Sequence, residues 1–177
     1  ASVVFGLALA EVTLRIVIPP RKDFRVWPAG MFHVFHPNPD VLPGLSREPR
    51  FTVNSLGLRG PEMGDERELR ILAIGGSTTE CLMIDDAFAW PLGLAKRLGK
   101  TADQRPVWSG SAGLSGMNSG DHVIHARYLV PQLPRVDVVV ALVGVNDLSV
   151  ALGTPELYKP VPADLPPQDS EVMLRRA

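Results

Sequence analysis

Ser77 stands in the loop Gly75-Gly76-Ser77-Thr78-Thr79, directly after the apolar run Leu69–Ile74. Two further small-residue loops follow, Ser111-Ala112-Gly113-Leu114-Ser115-Gly116 and Gly144-Val145-Asn146-Asp147. A serine, a glycine and an asparagine on three such loops are what acyl transfer needs, apart from a base. A serine hydroxyl is a weak nucleophile until a base takes its proton, and the oxyanion formed by its attack needs preorganised donors. Ser77 brings a hydroxyl and its own backbone N–H, Gly116 a second backbone N–H, and Asn146 a side-chain amide. One such donor is worth about 3 kcal/mol in the transition state, so two or three account for much of a rate enhancement. A serine in a Gly/Thr loop after a strand is often only a turn or a cap. It is the three loops together that point to chemistry.

The elements around these loops must bring them to one place. Leu69–Ile74 has the length and apolar character of a buried strand. The stretch AFAWPLGLAKRLGK reads as a helix, with Asp85 and Asp86 before it and Lys96, Arg97 and Lys100 near its end suiting the helix dipole; Pro91 limits where it begins. Val107-Trp108 is a brief strand. A helix is expected from about Asp121 to Leu133, capped by Ser119 and shortened by Pro131. Val136–Val143, almost unbroken Val, Ala and Leu, predicts a strand buried on both faces that stops at Gly144. Strand, loop and helix in alternation give a parallel sheet covered by helices, and ligands of such sheets bind beyond the carboxyl ends of the strands. All three loops lie at such ends. Four regions follow: a truncated membrane anchor or signal segment (1–20), a Pro/Gly-rich linker (21–68), a sheet-bearing part (69–154) and a Pro-rich segment (155–177). Within the linker, FTVNSLGLRGPE predicts a short strand and a turn at Gly57 and Gly60. The sheet ends at three strands, which with exposed edges would be a poor complete domain.

Taken in order, GGST, SAGLSG and GVND resemble the first three sequence blocks of the SGNH (GDSL-like) hydrolase family. FTVNSLGLRGPE, placed after an apolar N-terminal stretch, resembles a membrane-anchored bacterial subgroup of it, so the likeness runs through nearly the whole chain. The resemblance implies an α/β fold, a three-layer αβα flavodoxin-like sandwich with a parallel sheet, here incomplete at the C-terminus. It implies Ser77 as nucleophile, with Gly116 and Asn146 as oxyanion-hole donors. Gly113 competes for the second-block glycine, but the spacing in SAGLSG suits Gly116 better. Gly76 departs from the family's Gly-Asp-Ser-Leu. The family's last block, Asp-x-x-His, supplies the base and its orienting acid, and no such block follows Asn146. The chain is therefore expected to be the N-terminal portion of a serine esterase or deacylase, inactive by itself. His122 and His125 are read as helix-surface or partly buried polar residues rather than as a substitute base. Asp147 is a loop-fixing acceptor, Cys81 a small packing residue, and Trp90 and Trp108 core aromatics.

Composition narrows the alternatives. With 177 residues, 45% of them hydrophobic and 21% charged, the chain suits one globular domain. A net charge of -1 and a pI near 6.5 give no electrostatic case for nucleic acid. The single cysteine excludes an intrachain disulfide and a cysteine-based metal motif. His33 and His36 have metal-like spacing but are read as surface residues, and neither a metal nor an organic cofactor is expected. The phosphate-binding patterns G-x-x-x-x-G-K-[ST] and G-x-G-x-x-G are missing, and GGSTT lacks the second glycine of G-x-S-x-G. The first twenty residues are mostly apolar, with Glu11, Thr13 and Arg15 the polar residues of their second half. Apolar character continues through Ile18, past the point where a cleaved signal with Ala8-Leu9-Ala10 as its cleavage pattern would end. A retained anchor in the bacterial cell envelope is the expectation. A small acyl ester, or an acylated carbohydrate or lipid, is the expected substrate; the rival is a non-catalytic binding protein or pseudoenzyme on the same fold.

Overall fold

The structure is a computed structural model describing residues 3, 4, 6, 7, 9, 10, 13 and 24–154. The Pro-rich segment 155–177 and most of the expected anchor lie outside these. Among the described residues no helix is long and apolar enough to cross a membrane. The described residues of the first thirteen are helical and exposed, Val3, Val4 and Leu7 among them.

Two short strands, β1 (Phe32–Val34) and β2 (Arg50–Thr52), pair antiparallel ahead of the main sheet. The sheet proper holds β3 (Leu69–Gly75), β4 (Val107–Ser111) and β5 (Val138–Leu142), all parallel, in the order β4-β3-β5. β3 lies between the other two strands and is buried on both faces: Ile71, Leu72, Ala73 and Ile74 are each at most 5% exposed. Its alternation splits the packing. Leu72 and Ile74 join Trp108, Ala112, Leu58 and Leu129 in one cluster. The opposite side of β4 faces helix α2 (Trp90–Leu98), where the Ser109 hydroxyl accepts the Ala95 N–H at 3.0 Å and donates to the Leu92 carbonyl at 3.2 Å. Helices thus cover both faces of a mixed α/β unit.

Several boundaries differ from the sequence expectation. β4 runs to Ser111, longer than Val107-Trp108 alone suggests, because Arg59 pairs with its end. α2 starts at Trp90, and Asp85 and Asp86 do not serve its dipole. Asp85 accepts the backbone N–H groups of Arg50 and Ala87, while Asp86 pairs with Arg59. The helix expected from Asp121 to Leu133 is three pieces: α3 (Ser119–Ile124), a π-helical turn (His125–Leu129) and a 3₁₀ turn (Val130–Gln132) holding Pro131. Its cap is Asn118 rather than Ser119. The Asn118 side chain accepts the Gly120 and Asp121 N–H groups, and Asp121 returns an acceptor to the Asn118 N–H, closing a capping box. β5 is not buried on both faces. Val138, Val139 and Leu142 are 40–49% exposed, because β5 is a sheet edge and no described element covers it.

The segment 24–68 does more than link. Phe51, Val53, Leu58 and Arg59 are all at most 2% exposed. Arg59 joins three parts of the chain. Its main chain bonds Ser111 in both directions at 2.9 Å. Its guanidinium lies 4.2 Å from the centre of the Phe51 ring and donates to the carbonyls of Glu80 (2.6 Å), Cys81 (2.7 Å) and Ile84 (2.6 Å), and twice to Asp86. All five guanidinium N–H donors can be engaged at once, which a lysine ammonium could not reproduce. Removing one partner of a buried, bonded charge costs about 3–5 kcal/mol. Arg59→Leu is therefore expected to lower unfolding free energy by about that amount in urea titrations, with Arg59→Lys recovering less than half. A loss below about 1 kcal/mol would mean the guanidinium is not holding these carbonyls.

Candidate functional site

The turn that carries Ser77 follows directly from β3. Helix α1 (Ser77–Glu80) is a single turn that closes on Cys81, whose N–H donates to the Ser77 carbonyl at 3.0 Å. Cys81 adopts a left-handed conformation, φ 53°, uncommon for a non-glycine residue, and the Arg59 bond to its carbonyl helps hold it there. The Trp90 indole N–H donates to the Thr78 carbonyl at 2.8 Å, so Trp90, half-buried and not in the core as Trp108 is, braces this turn. Ser77 is exposed, and among the described residues nothing bonds its hydroxyl or its N–H. Burial pushes the Cys81 thiol up, which suits a packing residue and not a thiolate nucleophile.

The three small-residue loops meet here. A Cβ on Gly76 would lie 2.8 Å from the Asn146 side-chain nitrogen and 3.5 Å from the Met117 carbonyl, and the Asn146 amide donates to that carbonyl at 2.6 Å. Among the described residues the other amide hydrogen of Asn146 has no acceptor. An aspartate at position 76 would have to displace this amide, which gives the departure from Gly-Asp-Ser-Leu a local physical reason. On the other side of the turn, a Cβ on Gly113 would fall 2.5 Å from the Glu80 nitrogen, so only glycine allows this approach. The two candidate glycines of the second loop also differ in their donors. The Gly113 N–H is taken by the Ser111 hydroxyl at 3.0 Å, whereas the exposed Gly116, at φ +85°, has a free N–H among the described residues.

Carboxylates fix the second loop to its neighbours. Asp147 accepts the Ser119 N–H (3.0 and 3.1 Å) and the Ser119 hydroxyl. Burial pushes the Asp147 carboxyl up, but the Ser119 bonds outweigh it and the net shift is downward. Glu80, buried, accepts the Ser115 N–H at 2.9 Å and the Ser115 hydroxyl. Sequence reasoning missed Glu80, although a carboxylate three residues after the serine and a serine beside Gly116 were both in view.

His122 and His125 are not surface residues. They are 6% and 0% exposed, on α3 and at the start of the π-helical turn, and among the described residues none of their ring nitrogens has a hydrogen-bond partner. Neither is bonded to Ser77. His33 packs edge-on against Phe35, and His36 faces Glu48 at 4.0 Å. Among the described residues no group of three or more His, Cys, Asp or Glu could hold a metal ion.

Burial lowers His125 from 6.5 to about 4, reinforced by His122, and burial lowers His122 as well, against the pull of Asp121 and Asp147. The unfolded chain therefore binds protons on these histidines more tightly than the folded one. The His125 contribution is fully present above pH about 6.5 and declines as pH falls towards about 4, by on the order of 3 kcal/mol. Comparing denaturant midpoints at pH 7.5 and 4.5 for the protein and for His125→Phe should show a shallower decline in the variant; equal declines would mean that His125 takes up no extra proton on unfolding.

Neither the family models nor the curated proteins contain a match to this sequence. Among solved structures, two mutant forms of the esterase AlinE4 are similar. One has a TM-score of 0.41 at 20% identity, the other 0.39 at 19%, each covering 65% of this chain and 57% of that one. The chain thus spans less than two thirds of the length of the structures it resembles, and a likeness this slight decides nothing about a shared reaction.

Proposed function

We propose that this chain is the N-terminal part of an SGNH-type serine ester hydrolase. The single observation that carries the reading is the meeting of three loops around Gly76: an exposed Ser77 hydroxyl, the Asn146 amide against Gly76, and a second loop with an exposed Gly116, the Ser77 hydroxyl and Gly116 N–H having no partner among the described residues. Ser77 Oγ attacks the ester carbonyl carbon while a base takes its proton. The carbonyl oxygen becomes an oxyanion facing the N–H groups of Ser77 and Gly116 and the free amide hydrogen of Asn146. Collapse expels the alcohol, which takes the proton back from the base, and leaves an acyl group on Ser77. Water, deprotonated by the same base, then releases the acid and restores Ser77. The base in this reading is the histidine of an Asp-x-x-His block in a longer protein. The apolar N-terminal stretch supports a membrane-anchored place in the bacterial cell envelope, and an acylated carbohydrate or lipid there is a fitting substrate.

In the full-length protein, Ser77→Ala is expected to abolish turnover of p-nitrophenyl acetate, and Asn146→Ala to lower kcat by about 10²–10³. The 177 residues alone are expected to show no Ser77-dependent turnover, since none of the four histidines is bonded to Ser77. That same observation favours a second reading, a non-catalytic binding protein on this fold. Full-length protein that neither turns over esters nor labels at Ser77 with a fluorophosphonate would decide for it.

A further inference from the structure

Glu80 has no part in the steps above, yet it is 2% exposed and its position is fixed from several sides. Its N–H donates to the Gly76 carbonyl at 2.9 Å and its own carbonyl accepts from Arg59 at 2.6 Å, so the main chain under the side chain cannot drift. From that base the carboxylate crosses to the second loop and takes both donors of Ser115, the residue before Gly116. A buried carboxylate is costly unless bonded, and these bonds are charge-assisted and correspondingly strong. Beyond Gly116 the loop is fastened again, at Met117 by Asn146 and at Ser119 by Asp147. Gly116 itself has no side chain to anchor it, and a Cβ there would meet open space, so its N–H direction depends on its neighbours. On the N-terminal side Leu114 donates its N–H to the Gly75 carbonyl at 3.1 Å, and Ser115, the residue directly before Gly116, is held among the described residues by Glu80.

The geometry points to Glu80 as a positioning residue that aims the Gly116 N–H, acting through Ser115. This rests on the reading of Ser77 and Gly116 given above. A donor aimed at the oxyanion acts in the transition state and not on the bound ester, so loosening it lowers kcat and leaves KM nearly unchanged. A role confined to stability would instead lower the melting temperature without this split.

The test compares Glu80→Gln and Ser115→Ala in the full-length protein, with Glu62→Gln as control. Glu62 accepts the N–H and hydroxyl of Ser55 in the same manner but belongs to the segment before the sheet. Two readouts are taken, steady-state kinetics on p-nitrophenyl acetate and amide hydrogen exchange of segment 113–119. For Glu80→Gln the expected result is a kcat lower by about 10–100-fold, KM within about threefold, and faster exchange confined to 113–119. Ser115→Ala, which keeps its N–H, should give a smaller loss in the same direction, and Glu62→Gln none. Unchanged exchange in 113–119, faster exchange throughout, or a kcat equal to that of the control would each overturn the assignment. If the parent protein shows no Ser77-dependent turnover, the hydrolase reading fails by itself. The exchange measurement then decides alone whether Glu80 fixes the loop, with local acceleration upholding that and none overturning it.

Discussion

The Arg59 guanidinium is the constraint on which the rest of this structure depends. It is almost fully buried, stacked on Phe51, and it satisfies carbonyls of the chain just after Ser77 together with the Asp86 carboxylate. Main-chain carbonyls that leave a one-turn helix have no partners of their own, and burying them unpaired would be unfavourable. A single arginine removes that difficulty for Glu80, Cys81 and Ile84. It also permits the left-handed turn at Cys81, so that Ser77 ends on an exposed corner and Glu80 points inward. Since the same residue pairs with the end of β4, the corner is referred directly to the sheet.

From that corner outward the site is built by loop-to-loop ties and not by a packed core. Close approach of backbone at Gly76 and Gly113 brings the loops together, and side chains of opposite polarity then hold them: the Asn146 amide on a carbonyl, two carboxylates on two serines. Such bonds orient donors without covering them. Among the described residues this leaves the exposed Ser77 hydroxyl and the exposed Gly116 N–H without protein partners. The buried histidines are a different case: among the described residues their ring nitrogens have no hydrogen-bond partner, and burial favours their neutral form.

Much of this was legible in the sequence, and the misses have a common cause. The three strands, their parallel order and the three loops follow from apolar runs that end in Gly and Ser, because strand burial and turn chemistry are local in sequence. What the sequence conceals are partnerships over long separations. Asp85 and Asp86 look like the acidic start of a helix, a local reading, yet their partners are Arg50 and Arg59. Ser119 looks like a cap, but its hydroxyl is committed to Asp147, leaving Asn118 to cap α3. The histidines look like surface polar groups because a helix with mixed residues gives no sign of which face the sheet covers. β5 shows the reverse error: its composition anticipates burial on both faces, whereas Val138, Val139 and Leu142 are 40–49% exposed.

The role of segment 24–68 bears on how such a protein could change over evolutionary time. A stretch rich in Pro, Gly and charge looks like an interchangeable spacer, a place where lineages could recombine freely. Because Arg59 belongs to it and holds the chain after Ser77, a junction placed ahead of Leu69 would graft a foreign partner onto the corner that presents the serine. Inheritance of the site therefore starts well upstream of the first long strand, and the spacer and the sheet have to travel as one unit.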